Sequence, residues 1–223
     1  MLRESLAFRG GTAIHKLYLA PAIRYSEYID LIQKEGQSIG PIFDRIKARL
    51  DFLGTPNTSR THRDSALVYR FQSEIPPASP LKLKIEINCR EHFAVFGFQV
   101  KPFQVQSRWF EGKVALSTFT LEDLLGSKMR ALYQRRKGRD LLDLWYAITE
   151  REIDTEKVLY AFHQYMAFLD VSVTRREYEE NLREKITNRN FLGDTENLLR
   201  PGFNYNPHVA SKVVMEKLIS KLD

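Results

Sequence analysis

The sequence predicts an α+β protein, with a domain of mixed helices and strands over residues 1–118 and an α-helical domain over residues 119–223. Short apolar and alternating runs, separated by turn-forming residues, fill the first half and are typical of strands. After Gly112 the apolar residues recur at the spacing of amphipathic helices. With 43% hydrophobic and 28% charged residues, the chain has the composition of a folded protein with a core.

The first domain is predicted to begin with a strand, a turn and a helix. Residues 6–9 form the strand, Gly10-Gly11 ends it, and Thr12 caps a helix that runs to about Leu19. Alternation or helical spacing predicts the other elements of this domain: a helix at 38–53 and strands at 27–33, 68–71, 81–88, 93–100 and 104–110.

The second domain is predicted to be helical throughout. Thr120 begins its first helix, with Asp123 three positions later as a candidate capping box. The same spacing of apolar residues predicts further helices at 140–150, 155–169, 174–188 and 207–222.

Charge and cysteine content limit the class of protein. A net charge of +6 and a pI near 9.3 suit either an ordinary basic protein or one that binds RNA, DNA or a nucleotide. Cys89 is the only cysteine, which excludes a disulfide within the chain and a cysteine-rich metal site. We find no signal peptide and no apolar run of the roughly 20 residues that cross a membrane. We therefore expect a cytoplasmic protein that does not contact membranes.

The glycine pair before Thr12 is the first candidate for chemistry. Two glycines let the backbone approach a ligand closely, and the N-terminus of the following helix attracts an anion such as phosphate. Gly10, Gly11 and Thr12 are thus candidates to hold a triphosphate. The alternative is a strand-to-helix turn that needs glycine only for its conformation.

Asp30 is the second candidate, because residues two apart on a strand share a face. Two carboxylates so placed, about 6.6 Å apart along the strand, can hold one or two divalent ions. Here position 28 is tyrosine, and Glu27 lies on the opposite face unless the strand bulges. Asp30 is either one half of a metal site or a polar residue at a strand end.

Glu86 is the third candidate. The even positions of residues 81–88 are polar, so Lys84 and Glu86 face the same way. A carboxylate among lysines suggests an ion-paired surface ladder. Beside Asp30 in a sheet, Glu86 would instead be a further metal-binding or base carboxylate.

The last candidates are Lys128 and the turn that follows its helix. Lys128 borders the apolar helix face, where a lysine either extends harmlessly to solvent or reaches a phosphate. Four cations lie within five residues of the turn, as a solvated turn or as a clamp on triphosphate or RNA: Arg135, Arg136, Lys137 and Arg139. Asp140 and Asp143 share a helix face and either fix those arginines or favour the helix start.

The histidines show no metal-ligand spacing, so we expect them to be structural or surface residues: His15, His62, His92, His163 and His208.

Three segments together resemble a known family. Residues 8–13 (FRGGTA), 24–31 (RYSEYIDL) and 128–144 (KMRALYQRRKGRDLLDL) are similar, in this order, to motifs of the AbiEii/AbiGii toxin family of nucleotidyltransferases, which includes MenT-like toxins. The last segment is long and specific. Residues 84–88 (KIEIN) lie between the motifs, and the resemblance extends over most of the chain.

The resemblance implies a nucleotidyltransferase domain of the DNA polymerase β type, built on a mixed sheet, followed by a helical domain. It implies a toxin of a bacterial toxin–antitoxin or phage-defence pair, which transfers a nucleotide from an NTP to an acceptor that in some relatives is the tRNA 3′ end. A cognate antitoxin and Mg²⁺ are implied as partner and cofactor.

The resemblance also implies roles for single residues. Gly10, Gly11 and Thr12 would hold the triphosphate, and Asp30 and Glu86 would bind Mg²⁺. Lys128, Asp140 and the basic turn at 135–139 would complete the site.

The chain departs from the family pattern at two points. Tyr28 stands where the family has aspartate, and a neutral phenol is a poor Mg²⁺ ligand, so metal-dependent transfer should be badly weakened. Only nine residues precede Gly10, where relatives usually carry a further helical segment, so part of the first domain is expected to be uncovered.

These departures leave two alternatives to a working toxin. One is a catalytically dead pseudoenzyme that still binds nucleotide or antitoxin. The other is a basic RNA-binding module that uses the turn at 135–139.

Overall fold

A computed structural model of the chain describes residues 2–26, 28–61, 64–108 and 110–223. It divides into two compact units. The sheet unit comprises Met1–Ala13 and Ser26–Phe119, and the helical unit comprises Ile14–Tyr25 and Thr120–Asp223. The domain limits predicted from sequence remain a prediction, and the structure groups Ile14–Tyr25 with the helices.

The sheet unit contains seven strands and two helices among its described residues, and a further helix crosses into the helical unit. These elements are α1 (Leu2–Ser5), β1 (Leu6–Phe8), α2 (Gly10–Leu17), β2 (Tyr28–Gln33), α3 (Gly40–Arg49), β3 (Asn57–Arg60), β4 (Asp64–Gln72), β5 (Pro80–Asn88), β6 (Gln99–Gln106) and β7 (Glu111–Thr118). The division between the two units falls within α2.

The strands form one mixed sheet in the order β3-β4-β5-β2-β1-β7-β6. β2 is parallel to β5 and antiparallel to β1, while β1 is parallel to β7. The predicted α+β class with a mixed sheet is confirmed. The parallel β2–β5 pair carries both of the carboxylates that were predicted from sequence to bind metal, Asp30 and Glu86.

A helix covers one face of this sheet. Ile42, Phe43 and Ile46 of α3 are buried together with apolar residues of β4 and β5, including Leu67 and Ile85. Because side chains alternate along a strand, burying one face leaves the intervening polar residues of β2 and β5 on the other.

Two predicted strands are wrong in position. The strands expected at 93–100 and 104–110 are replaced by the β6–β7 hairpin. Gly97 adopts φ +77° in the loop before β6, which interrupts the first. Ser107 ends the second, because its N–H donates to the Phe110 carbonyl and its hydroxyl accepts the Phe110 N–H, closing a turn.

Other boundaries also shift. α2 begins at Gly10, so Thr12 lies within it and is not its N-cap. The helix predicted at 38–53 is α3 followed by a separate 3₁₀ turn at Asp51–Leu53. β3 was not predicted, because its four residues are all polar and exposed and show no alternation.

The helical unit contains α4 (Leu121–Gln134), α5 (Gly138–Glu150), α6 (Thr155–Ala167), α7 (Arg175–Lys185), α8 (Arg189–Gly193) and α9 (Pro207–Lys217). The predicted cap of α4 is present, with the Thr120 side chain accepting the Asp123 N–H. α5 begins two residues before the predicted start, and α9 ends at Lys217, before a 3₁₀ turn. Within the described residues, no helix has the length and apolar character needed to span a membrane.

Candidate active site

The polar face of the β2–β5 pair brings four side chains together, here called the strand-face cluster: Tyr28, Asp30, Lys84 and Glu86. Tyr28 is the register partner of Lys84, and Asp30 is the partner of Glu86. Because neighbouring strands lie about 4.8 Å apart, side chains in register on one face are neighbours. The sheet thus places the two predicted metal-binding carboxylates side by side, with Tyr28 in the adjacent position on the same strand.

The turn between β1 and α2 lies against this cluster. Gly10 has φ +72°, and a Cβ added there would lie 2.5 Å from Asp30 Oδ2. The Arg9 N–H donates to the Asp30 carbonyl at 2.9 Å. Glycine at position 10 is therefore required both by its conformation and by the approach of the Asp30 carboxylate.

Thr12 has a structural contact in this arrangement. Its hydroxyl donates to the Tyr28 carbonyl at 2.9 Å, and the residue is buried. This bond ties the start of α2 to the first residue of β2. The predicted role of Gly11 and Thr12 in holding a triphosphate remains a prediction, which for Thr12 would fall to its backbone N–H group.

The Lys84 ammonium contacts one member of the cluster and lies over the ring of another. Lys84 Nζ is 2.5 Å from Glu86 Oε2 and 5.1 Å from the centre of the Tyr28 ring. The hydrogen bond to Glu86 raises the pKa of Lys84, and Tyr28 and Asp30 raise it further. The ion pair that the sequence offered as the alternative for Glu86 is thus present.

The donor set does not fit the metal site of a phosphoryl-transfer enzyme. Mg²⁺ prefers six oxygen ligands, and two-metal sites need several carboxylates. Among the described residues, no three carboxylate, histidine or cysteine side chains gather as a metal-binding group. Asp30 and Glu86 are the two predicted donors, position 28 supplies an aromatic ring, and Glu86 is already engaged by Lys84.

Two further carboxylates of the sheet unit, Asp64 and Glu91, were not predicted from sequence. Burial raises the pKa of Asp64, and Glu86 raises it further. Glu91 pairs with Arg9 at 3.0 Å. Asp64 begins β4 as the register partner of Asn88, so only the strand pairing, which sequence reasoning did not predict, could have revealed it. Glu27 and His62 lie outside the described residues.

In the helical unit, Asp140 and Asp143 of α5 are fully buried and share one cation. Lys128 Nζ lies 2.8 Å from Asp140 Oδ1 and 3.1 Å from Asp143 Oδ2. Burial alone would raise the pKa of Asp140, but Lys128 and Arg135 outweigh it and hold that pKa below its usual value. Lys128 is only 5% exposed, so it does not extend to solvent as one alternative proposed.

Asp143 also binds two residues of the segment Ile14–Tyr25. Arg24 donates to both of its oxygens, at 2.7 and 2.9 Å, and His15 Nε2 lies 2.9 Å from Oδ1. Burial opposes ionisation, yet Arg24, Lys128 and His15 hold the pKa of Asp143 well below its usual value. Arg24 had no predicted role, although it opens the second motif and precedes the strand carrying Asp30.

Each cation of the basic turn has a carboxylate partner. Arg135 donates to Asp140 at 2.6 and 2.8 Å. The other pairs are Arg136 with Glu184 at 2.5 Å, Lys137 with Asp194 at 3.4 Å, and Arg139 with Asp194 at 3.5 Å. The predicted use of these cations on a triphosphate or RNA remains a prediction, and it requires them to exchange or share these partners.

A large apolar cavity of about 490 Å³ lies elsewhere in the sheet unit. Ile29, Leu31 and Ile85 line it, and these residues alternate with the strand-face cluster on β2 and β5. The cavity therefore opens on the other face of the sheet, away from the carboxylates.

Sequence and structure comparisons identify the family. The family model described as the nucleotidyl transferase AbiEii toxin of a type IV toxin–antitoxin system matches residues 2–208. The chain belongs to the AbiEii family of nucleotidyltransferase toxins. No curated protein sequence matches it.

Solved structures place this AbiEii-family chain in the nucleotidyltransferase fold. It is similar to the MenT4 nucleotidyltransferase toxin from Mycobacterium tuberculosis H37Rv, with TM-score 0.58 and 16% identity, over 98% of this chain and 76% of that one. It is also similar to a putative nucleotidyltransferase from H. pylori, with TM-score 0.54 and 16% identity, over 97% of this chain and 88% of that one. The predicted family and fold are both confirmed.

Proposed function

We propose that this AbiEii-family chain is a nucleotidyltransferase toxin whose transfer of a nucleotide from an NTP to an RNA acceptor, such as tRNA, is strongly weakened by Tyr28. In this reaction the acceptor hydroxyl gives its proton to water and its oxygen bonds to the α-phosphorus. The bond from that phosphorus to the oxygen of the β-phosphate breaks, and pyrophosphate leaves. We place the reaction in the cytoplasm, where NTP, tRNA and an antitoxin are available.

The register of β2 and β5 carries this proposal. Asp30 and Glu86 are direct cross-strand partners, and Asp30 packs against Gly10 at the start of α2. A helix N-terminus beside carboxylates suits a triphosphate with its accompanying cation. Position 28 is the neighbour at which a third carboxylate would face the same ion, and its tyrosine supplies a phenol ring in place of that carboxylate.

Most of the other predicted residues would act on the triphosphate, on its Mg²⁺ or on the basic turn. The backbone of Gly10, Gly11 and Thr12 would hold phosphate oxygens, and Asp30 with Glu86 would hold Mg²⁺ once a third donor is supplied. In the helical unit, Lys128 and Asp140 would set the position of Arg135, the member of the basic turn that donates twice to Asp140.

The decisive experiment replaces Tyr28. We expect Tyr28→Asp to raise transfer of a labelled nucleotide from an NTP to tRNA by about 100-fold or more, since metal ions in such sites contribute several kcal/mol to the barrier. Tyr28→Phe is the matched control, because it keeps the ring and adds no charge. Equal rates for Tyr28→Asp and the wild type would refute the role given to position 28.

A second function is favoured by the contact between Lys84 and Glu86. If this ion pair persists when nucleotide binds, the chain is a pseudoenzyme that binds nucleotide or antitoxin without chemistry. Titration with an NTP, with Mg²⁺ and with EDTA, separates the two. Nucleotide affinity that is the same with Mg²⁺ and with EDTA, together with an inactive Tyr28→Asp variant, supports the pseudoenzyme.

A further inference from the structure

Lys84 lies in the part of the strand-face cluster where a metal ion bound to Glu86 would place its positive charge. Its ammonium contacts Glu86 Oε2 at 2.5 Å and lies 5.1 Å from the centre of the Tyr28 ring. The sheet fixes these neighbours, because Lys84 is the register partner of Tyr28 and Glu86 lies two residues further along the same face. An ammonium over an aromatic face is attracted to it, so the ring stabilises this position of Lys84.

We propose that the Lys84 ammonium, positioned by the Tyr28 ring, is a built-in counter-ion that keeps divalent metal ions off Glu86. This inference rests on the proposed function, in which the same carboxylates would hold the metal of the NTP reaction. It adds a second cause of impairment to the missing carboxylate at position 28. Tyrosine there both removes a ligand and supplies the surface that holds a competing cation in place.

Electrostatics gives the reason for the competition. A divalent ion at Glu86 would lie within a few ångströms of the ammonium, where like charges repel strongly unless the lysine leaves. The Lys84 and Glu86 side chains are 28% and 31% exposed, so both the lysine and an incoming ion can reach solvent. Replacing Lys84 by a neutral residue therefore frees Glu86 and removes the repulsion.

The test measures Mn²⁺ binding in the absence of nucleotide, by the electron paramagnetic resonance signal of free Mn²⁺. We expect Lys84→Met to bind Mn²⁺ about tenfold more tightly than the wild type. Lys84→Arg keeps the charge and should match the wild type. Lys82→Met is the matched control, because Lys82 lies two residues earlier on the same face and its removal changes the net charge equally.

Tyr28 provides the second arm. Lys84→Met should gain less in Mn²⁺ affinity in a Tyr28→Ala background, because without the ring Lys84 is held less firmly on Glu86. Thermal unfolding verifies that each variant is folded, and Lys84→Gln replaces Lys84→Met if the latter is not. Equal Mn²⁺ affinity for Lys84→Met and Lys82→Met would overturn the inference.

The outcomes separate this inference from the proposed function. An inactive Tyr28→Asp variant contradicts the function, whereas Mn²⁺ affinity without nucleotide judges Lys84 alone. A variant set in which Tyr28→Asp restores transfer but Lys84→Met leaves Mn²⁺ affinity unchanged would retain the function and reject the counter-ion.

Discussion

Asp143 shows how a single buried residue joins distant parts of the helical unit. It lies on α5, yet it binds Arg24 and His15 from the segment Ile14–Tyr25 and Lys128 from α4. Burying two opposite charges is costly, and the cost is recovered only when the geometry satisfies both partners. Arg24 meets this condition because it donates to both carboxylate oxygens.

We predict that Asp143→Asn lowers the free energy of unfolding by about 3–5 kcal/mol, because it leaves Arg24 and Lys128 buried without their full counter-charge. Urea denaturation measures the change. Asp170→Asn is the matched control, an identical replacement at an exposed position, and should change stability by less than about 0.5 kcal/mol.

The same site predicts a pH dependence. The pKa values of Asp140 and Asp143 are lower in the folded chain than their usual value near 4, so the folded state favours the charged form. Their stabilisation is fully present above that usual value and is lost as pH falls through the lower folded pKa. Urea denaturation of the wild type should therefore give falling stability below about pH 4, with a smaller fall in Asp143→Asn. An identical dependence of stability on pH in the wild type and in Asp143→Asn would contradict the lowered pKa of Asp143.

At the scale of secondary-structure elements, α4 and α6 approach closely through small residues. A Cβ added at Gly126 of α4 would lie 2.5 Å from the Ala161 Cβ and 2.8 Å from the Phe162 backbone nitrogen, both on α6. Backbone cannot yield as a flexible side chain does, so glycine is required by this helix crossing.

We predict that Gly126→Ala destabilises the chain by about 1–3 kcal/mol through overpacking, despite the better helix propensity of alanine. Gly40→Ala, in the first turn of α3, is the control, because an added Cβ there meets only Ser38 Oγ at 3.8 Å. A Gly126→Ala variant as stable as Gly40→Ala in thermal unfolding would show that the two helices can move apart.

Secondary-structure elements could be predicted from sequence where a single local pattern of apolar residues determined them. The helical spacing of the second half gave its five long helices, and alternation at 81–88 gave β5 with Lys84 and Glu86 on one face. The hairpin of β6 and β7 was misplaced, because its turn depends on Ser107 and Phe110 and not on glycine or proline.

For the candidate site, the types of residue could be predicted from sequence, but the pairs that they form could not. Lys84 could not be recognised as a counter-ion held by the Tyr28 ring until the strand register placed the two residues side by side.

At the scale of the whole molecule, a net charge of +6 suggests affinity for polyanions, but charge alone does not locate a binding surface. The basic turn at 135–139 is the densest run of cations, yet its arginines and lysine each face a carboxylate. A cation that already has a carboxylate partner gains less binding free energy from a phosphate, because it must first break that ion pair.

We predict that Arg136→Gln with Lys137→Gln changes tRNA affinity only weakly and reduces the slope of log affinity against log salt by less than about one unit. Lys212→Gln with Lys217→Gln, on α9, is the control for an equal loss of charge. If that slope falls by about two units in Arg136→Gln with Lys137→Gln but not in the control, the result would instead favour the RNA-binding module.

We expect Tyr28 and Lys84 together to deny a metal ion to the carboxylates of this AbiEii nucleotidyltransferase site. Anomalous diffraction from crystals grown with Mn²⁺ and a non-hydrolysable NTP would show the ion itself. We expect a Mn²⁺ peak between residue 28, Asp30 and Glu86 in Tyr28→Asp, and none at that position in the wild type. A peak of equal height there in the wild type, or a Tyr28→Asp peak remote from Asp30, would rule out this role for Tyr28 and Lys84.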